Sequence, residues 1–286
     1  MNVSSWLWNW LDARRDAQPS QDPLDHAAKL SLRKLEDRQV LSVSSVFSAG
    51  VLDVDLTATD DVAITVNASH EVLVNGVLVD SDNNSGNGTQ TLLASQVTSI
   101  DIDAAGAFIN EINLAGVTTG EFTGLTGSIT IDAGDGNDTI IGSAFGDTIT
   151  GGAGNDSLQG GAGSDIYLFA DGFGADTVVD LVGETDTLNF ASVTTDIAAN
   201  LQTHTVTVAM SNAVNFNFTN GSEIDAIIGH AAGNDSLTGL DGISTWTMGA
   251  TNTYTSGSVT VTFSGFETLQ GGKRFRCVPD EFRCDS

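Results

Sequence analysis

Between residues 39 and 272 the chain contains no lysine and no arginine. All 10 basic side chains sit at its ends: Arg14, Arg15, Lys29, Arg33, Lys34 and Arg38 on one side, Lys273, Arg274, Arg276 and Arg283 on the other. With 37 acidic residues and a net charge of −27, the cationic footprint of a nucleic-acid binder is missing, so no such partner is expected. Long apolar runs are missing as well. No stretch approaches 18 residues, and no transmembrane helix is expected. Proline is scarce, at 3 against 32 glycines, and the glycines lack a three-residue period, which excludes collagen. The 2 cysteines, Cys277 and Cys284, both lie in the last ten residues. Six residues separate them, enough for a local disulfide in an oxidising compartment, and the spacing matches no zinc signature.

What is present is 40% hydrophobic, too apolar for a disordered acidic tail. A folded, turn-rich β protein is expected. The 28 aspartates and glutamates between residues 39 and 272 find no Lys or Arg within that stretch, which therefore cannot make a single such salt bridge of its own. They must be solvated, bonded to backbone N–H groups, or neutralised by a cation from outside the sequence. Solubility through negative charge is the simpler alternative.

Residues for catalysis are not found. No serine occupies G-x-S-x-G, and the four histidines, His26, His70, His204 and His230, show no ligand spacing. His70 and Glu71 begin an H-E-x-x-H, but Val74 stands where the second histidine belongs. With 29 aspartates in all, two close carboxylates say nothing of glycosidase chemistry. The expectation is a protein that is not an enzyme.

The ends differ from the middle. Residues 22–38 read as an amphipathic helix, and LRKLEDRQVLS, Leu32 to Ser42, resembles the LEDR element near the N-termini of planctomycete surface and exported proteins. From residue 51 onward, short β-rich runs alternate with Gly, Asn, Asp and Ser. Asn75 and Gly76 fit a two-residue type I′ hairpin. The stretch from Asp80 superficially resembles an EF-hand loop but fails, with Ser85 at the turn position and Thr91 where a glutamate belongs.

Residues 133–168 carry the strongest signal. Written in nines they are AGDGNDTII, GSAFGDTIT, GGAGNDSLQ and GGAGSDIYL. Asp138, Asp147, Asp156 and Asp165 fall at the sixth place; Ile140, Ile149, Leu158 and Tyr167 fall at the eighth. Small residues at the second and fourth places allow tight turns, and the eighth side chain points inward from a short strand. One coil is then two nines, and turns two units apart stack at roughly 4.8 Å. The pattern resembles the G-G-x-G-x-D-x-U-x repeat of RTX, or haemolysin-type, calcium-binding proteins.

That resemblance implies bound Ca²⁺, a hard cation that takes about 6 to 8 oxygen ligands. The implied metal residues are Gly134, Gly136, Asp138, Asp147, Gly152, Gly154, Asp156, Gly161, Gly163 and Asp165. Stacking pairs the Asp138 turn with the Asp156 turn, and the Asp147 turn with the Asp165 turn. The second pairing is the weaker, because Ser143 and Phe145 replace glycines. A third site could involve residues 169–174, although Asp171 is out of register there.

Two coils cannot bury a solenoid core, since at least three repeats are normally needed. SIDIDA, INLAGV and SITIDA are expected to extend the stack on one side. On the other, GADTVVDLVGETDTLNFASV resembles the ending of RTX blocks, with Asp176, Asp180 and Asp186 at its acidic places. HTVTVAM and VNFNFT suggest a hairpin, and HAAGNDSLT, with Asp235 and Leu237, is a lone degenerate repeat for which a plain turn serves equally well.

The expected fold class is all-β: a parallel β-helix or β-roll solenoid with additional strands and hairpins. Its divisions are 1–45 for targeting or disorder, 46–131 leading into the β-helix, 132–192 as the calcium β-roll, 193–272 as a β-rich part, and 273–286 as a dispensable tail from a truncated or misread gene end. The expected function is calcium binding in an exported structural or adhesive protein at the cell surface or in the medium, with an unidentified surface or matrix partner. The alternative is a folding and export module, or a fragment, of a secreted RTX hydrolase or toxin.

Overall fold

The computed structural model describes residues 43–58, 61–81, 90–181, 184–208, 212–216, 223–230 and 232–271, with the backbone of 277–278 and 283–284. The amphipathic segment 22–38, the LEDR element and the core of the EF-hand-like stretch lie outside the described residues. Among the described residues there is no α-helix, only the 3₁₀ turn Ala94–Gln96, and none long and apolar enough to cross a membrane.

Strands are numbered in chain order. The first sheet contains β1 (Val43–Ser48), β2 (Val51–Leu56), β6 (Ser99–Ala104), β8 (Ile129–Asp132), β10 (Asp147–Thr150), β12 (Ile166–Ala170), β14 (Thr187–Ser192), β18 (Ala226–Ile228), β20 (Ser244–Thr247), β21 (Asn252–Ser256) and β22 (Val259–Ser264). The second contains β3 (Asp61–Val66), β4 (Val72–Val74), β5 (Val77–Leu78), β7 (Glu111–Asn113), β9 (Thr139–Ile141), β11 (Ser157–Gln159), β13 (Ala175–Val179), β15 (Ile197–Asn200), β16 (Thr205–Val208), β17 (Asn212–Phe216), β19 (Ser236–Thr238) and β23 (Thr268–Gln270). The backbones of β24 (Cys277–Val278) and β25 (Arg283–Cys284) pair antiparallel, with Cys277 opposite Cys284.

From β6 to β14 the chain alternates between the sheets and each strand lies parallel on the one a coil earlier. β6, β8, β10, β12 and β14 stack in the first sheet, and β7, β9, β11 and β13 in the second. Parallel sheets bury their inner face, so one side chain per short strand points inward from each. The rows are continuous: Ile102, Ile131, Ile149, Tyr167, Leu188, Ile227 and Phe263 stack in one sheet; Val62, Ile112, Ile140, Leu158 and Val178 stack in the other. All are buried. The eighth-place residues thus form the core, and the protein is an all-β parallel solenoid.

The solenoid starts well before the repeats, at the parallel pairs β2 with β6 and β3 with β7. Asn75 and Gly76 do turn between β4 and β5, both at positive φ. After β13 the regular winding breaks, and β17, β16 and β15 form an antiparallel meander within the second sheet. Parallel stacking then resumes through β15, β19 and β23. An antiparallel meander, β20 to β22, follows the winding in the first sheet, where Trp246 packs on Tyr254 and Phe263.

Candidate metal centre

The turns of three of the four nine-residue units follow one backbone path. Gly134 and Gly136, Gly152 and Gly154, and Gly161 and Gly163 all have positive φ. Gly154 shows why glycine is needed there: its φ is +144°, and a Cβ would lie 1.3 Å from the Gly136 carbonyl oxygen of the preceding coil. Turns can stack this closely only without side chains. In the remaining unit, Ser143 and Phe145 stay out of the left-handed region.

Stacked turns are joined through their aspartates. The Asp138 N–H donates to Asp156 Oδ1 at 2.8 Å, and the Asp156 N–H donates to Asp176 Oδ1 at 2.9 Å. Upstream, the Asn110 N–H donates to Asp138 Oδ1 at 2.7 Å. The opposite edge repeats the arrangement: the Asp147 N–H donates to Asp165 Oδ1 at 2.7 Å, and the Asp165 N–H to Asp186 Oδ1 at 2.8 Å. Each carboxylate therefore holds the coil before it with one oxygen. A parallel ladder of side chains at the fifth place reinforces the first edge, where Asn137 Oδ1 accepts from the Asn155 N–H and Asn155 Oδ1 from the Ala175 N–H.

The second oxygens are the exceptional feature. Oδ2 of Asp138, Asp156, Asp165 and Asp186 is buried and has no hydrogen-bond partner. Buried polar atoms are rarely left in this state. These four atoms form two pairs on opposite edges, Asp138 with Asp156 and Asp165 with Asp186. Beside the second pair stands Asp180; one oxygen from each of Asp165, Asp180 and Asp186 lies within 4.8 Å of the other two. Asp180 Oδ2 also accepts the Tyr167 hydroxyl at 2.6 Å.

Burial pushes these carboxyls up. Asp138 rises to about 6, Asp165 to about 8, and Asp176 and Asp186 to about 7. Asp156 and Asp180 move in the same direction for the same reason, partly offset by hydrogen bonds. Among the described residues no lysine or arginine side chain compensates them, so a cation would offset the charge of ionised carboxylates on these edges. An all-oxygen donor set with orphaned buried oxygens fits a hard divalent ion.

Asp147 differs. It too is buried, and raised to about 7 by desolvation, but Ser143 occupies both of its oxygens. The Ser143 N–H donates to Oδ2 at 2.6 Å and the Ser143 hydroxyl to Oδ1 at 3.0 Å. The orphan pair on this edge therefore lies one coil beyond the pairing expected from spacing, at Asp165 and Asp186. Asp171, in turn, bonds to Thr194, and Asp176 takes the ladder position on the other edge.

The unit around Asp235 is more than the plain turn that would serve its sequence equally well. Asp235 is fully buried and joins three windings: its Oδ1 accepts the Ile197 N–H at 2.9 Å, and its backbone N–H donates to Glu267 Oε2 at 2.9 Å. The Asn234 N–H donates to Asp196 Oδ1 at 2.9 Å, as at the fifth place of the first block. The unit is a working rung, separated from its partners by 38 and 32 residues, too far for a nine-residue period to reveal.

Fold and turns together define a β-roll with acid-lined edges set within a parallel β-helix. The family model described as RTX calcium-binding nonapeptide repeat matches residues 132–167 and 141–178, with 4 copies of the repeat. RTX nonapeptide repeats bind Ca²⁺. No curated protein and no solved structure matches the chain.

Proposed function

We propose that the chain is an exported, non-enzymatic structural or adhesive protein whose solenoid is folded and held by calcium. The observation that carries this is the set of four buried carboxylate oxygens without partners, within a stretch, 39–272, that contains no lysine or arginine. Asp138 and Asp156, with carbonyls of the turns at Gly134, Gly136, Gly152 and Gly154, would hold one ion. Asp165, Asp180 and Asp186, with carbonyls of the turn at Gly161 and Gly163, would hold another. Asp147 instead fastens its own turn through Ser143. The ions supply positive charge that the sequence withholds. RTX repeat proteins are typically extracellular, which supports export.

Extracellular calcium modules typically bind with Kd of about 10⁻⁴ to 10⁻³ M. Free calcium at a hundredfold Kd adds about 2.7 kcal/mol per site, so two sites supply enough to decide whether a marginal domain folds. Calcium titration of metal-stripped protein, followed by circular dichroism, tests this. A gain in β-sheet signal that magnesium does not reproduce is expected; full folding in chelator would overturn it. Assay of the purified chain against ester, glycan and peptide substrates addresses the enzymatic alternative, and turnover would refute the non-enzymatic reading.

A further inference from the structure

The rung at Asp235 keeps the hydrogen-bond pattern of the calcium edges but changes the chemistry of the second oxygen. Where Asp138 and Asp156 leave Oδ2 unpaired, Asp235 Oδ2 is taken by His230, from its N–H at 3.0 Å and its ring Nδ1 at 2.9 Å. The oxygen on which a calcium site would depend is used up. An ionised carboxylate only accepts, so Nδ1 carries a proton, and in the neutral imidazole Nε2 then keeps its lone pair.

That Nε2 has nothing to bind. It is buried and without a hydrogen-bond partner, in a residue only 5% exposed. It lies near the Asp196 carboxylate beside Gly233: a Cβ on that glycine would meet His230 Nε2 at 2.7 Å and Asp196 Oδ1 at 2.6 Å. One ligand atom each from Asp196, His230 and Asp235 lies within 4.8 Å of the other two. Asp196 Oδ1 is engaged by the Asn234 N–H, which fixes the carboxylate and leaves its other oxygen for a ligand.

A carboxylate that fixes the tautomer of an imidazole whose second nitrogen faces another carboxylate is the usual outer shell of a histidine-ligated metal. We propose that His230 Nε2 and the Asp196 carboxylate form a third metal site, for a borderline divalent ion of the Zn²⁺ type, with Asp235 orienting the imidazole. Calcium takes oxygen ligands, whereas imidazole suits zinc and its neighbours. The two kinds of site therefore sort ions by donor atom, although the same stacked-turn scaffold builds both.

The test uses the full chain, stripped of metal and then held in saturating calcium while Zn²⁺ is titrated by calorimetry. Wild type is expected to bind one more zinc equivalent than His230→Gln, and excess calcium should not displace it. Asp196→Asn keeps an acceptor for the Asn234 N–H and should weaken that equivalent by about tenfold or more, as loss of a carboxylate ligand or outer-shell partner does. Neither substitution should alter the calcium response of the β-sheet signal. Zinc held by the terminal cysteines or other histidines would persist in His230→Gln, so the difference in stoichiometry is the reading. Co²⁺ in the difference site should show no thiolate charge-transfer band. Equal stoichiometry in wild type and His230→Gln, or displacement by calcium, would overturn the proposal. If His230→Gln fails to fold, unchanged zinc affinity in Asp196→Asn overturns it alone.

Discussion

The backbone N–H of Asp138 is held by Asp156 Oδ1, from exactly one coil later, while Asp156 Oδ2 lies buried with no partner. One side chain thus fastens two coils and offers an oxygen to an ion. Asp156→Ala is expected to lower calcium affinity by at least about tenfold, since even loss of an outer-shell partner costs roughly 10 to 100-fold. Asp147→Ala should leave calcium affinity nearly unchanged. It instead strands the Ser143 N–H, at a cost of about 1–3 kcal/mol in stability. Parallel calcium titrations and melting curves of the two variants check the order; a larger loss of affinity in Asp147→Ala would refute the assignment.

Protonation should substitute for calcium at low pH. In the folded chain Asp138 is raised to about 6, Asp147, Asp176 and Asp186 to about 7, and Asp165 to about 8, all above the ordinary carboxylate value of about 3.9. Between about pH 4 and 8 the metal-free fold therefore binds more protons than the unfolded chain, and its stability falls as pH rises. Calcium competes with those protons, so its affinity should rise over the same window. Melting temperatures of stripped and calcium-loaded protein from pH 4 to 8 should diverge upward; a flat metal-free profile would contradict this.

Gly154 and Gly172 separate crowding from backbone strain. Both have positive φ, but a Cβ on Gly154 would collide with the Gly136 carbonyl, whereas Gly172 has nothing within 4 Å. Gly172→Ala is expected to cost about 1–2 kcal/mol. Gly154→Ala adds a backbone collision and should cost about 3 kcal/mol or more. Calcium-dependent folding midpoints of the two variants provide the comparison.

Tyr167→Phe keeps the buried ring and removes only the hydroxyl that donates to Asp180 Oδ2. Loss of a charge-assisted hydrogen bond costs about 1.5–3 kcal/mol, and roughly 2–4 °C of melting temperature per kcal/mol is expected at this chain length. An unchanged melting temperature would show that this contact contributes nothing.

The parts of the fold that were legible in the sequence are those with an unbroken period. Ile140, Ile149, Leu158 and Tyr167 recur every nine residues, and that spacing sufficed to place them in two inward rows and to stack alternate turns. The period ends where coil length changes: Asp176 follows Asp156 by 20 residues, and Asp186 follows Asp165 by 21, so neither falls in register with the repeat, and only their resemblance to the ending of RTX blocks marks them in the sequence. His230 was illegible for another reason. Its partners Asp196 and Asp235 are 34 residues before and 5 after it, and only the resumed stacking of β15 on β19 brings them together.

The ladder has a direction. Each aspartate accepts from the coil that precedes it, so loss of one aspartate side chain frees an amide of its N-terminal neighbour and leaves the contacts of its C-terminal one, including the Asn155 clasp on the Ala175 N–H, in place. A break in the aspartate ladder should accordingly be felt first on its N-terminal side. Amide hydrogen exchange would register it as a gradient: after a lesion at Asp156, the Asp138 amide should lose protection before the Asp176 amide does.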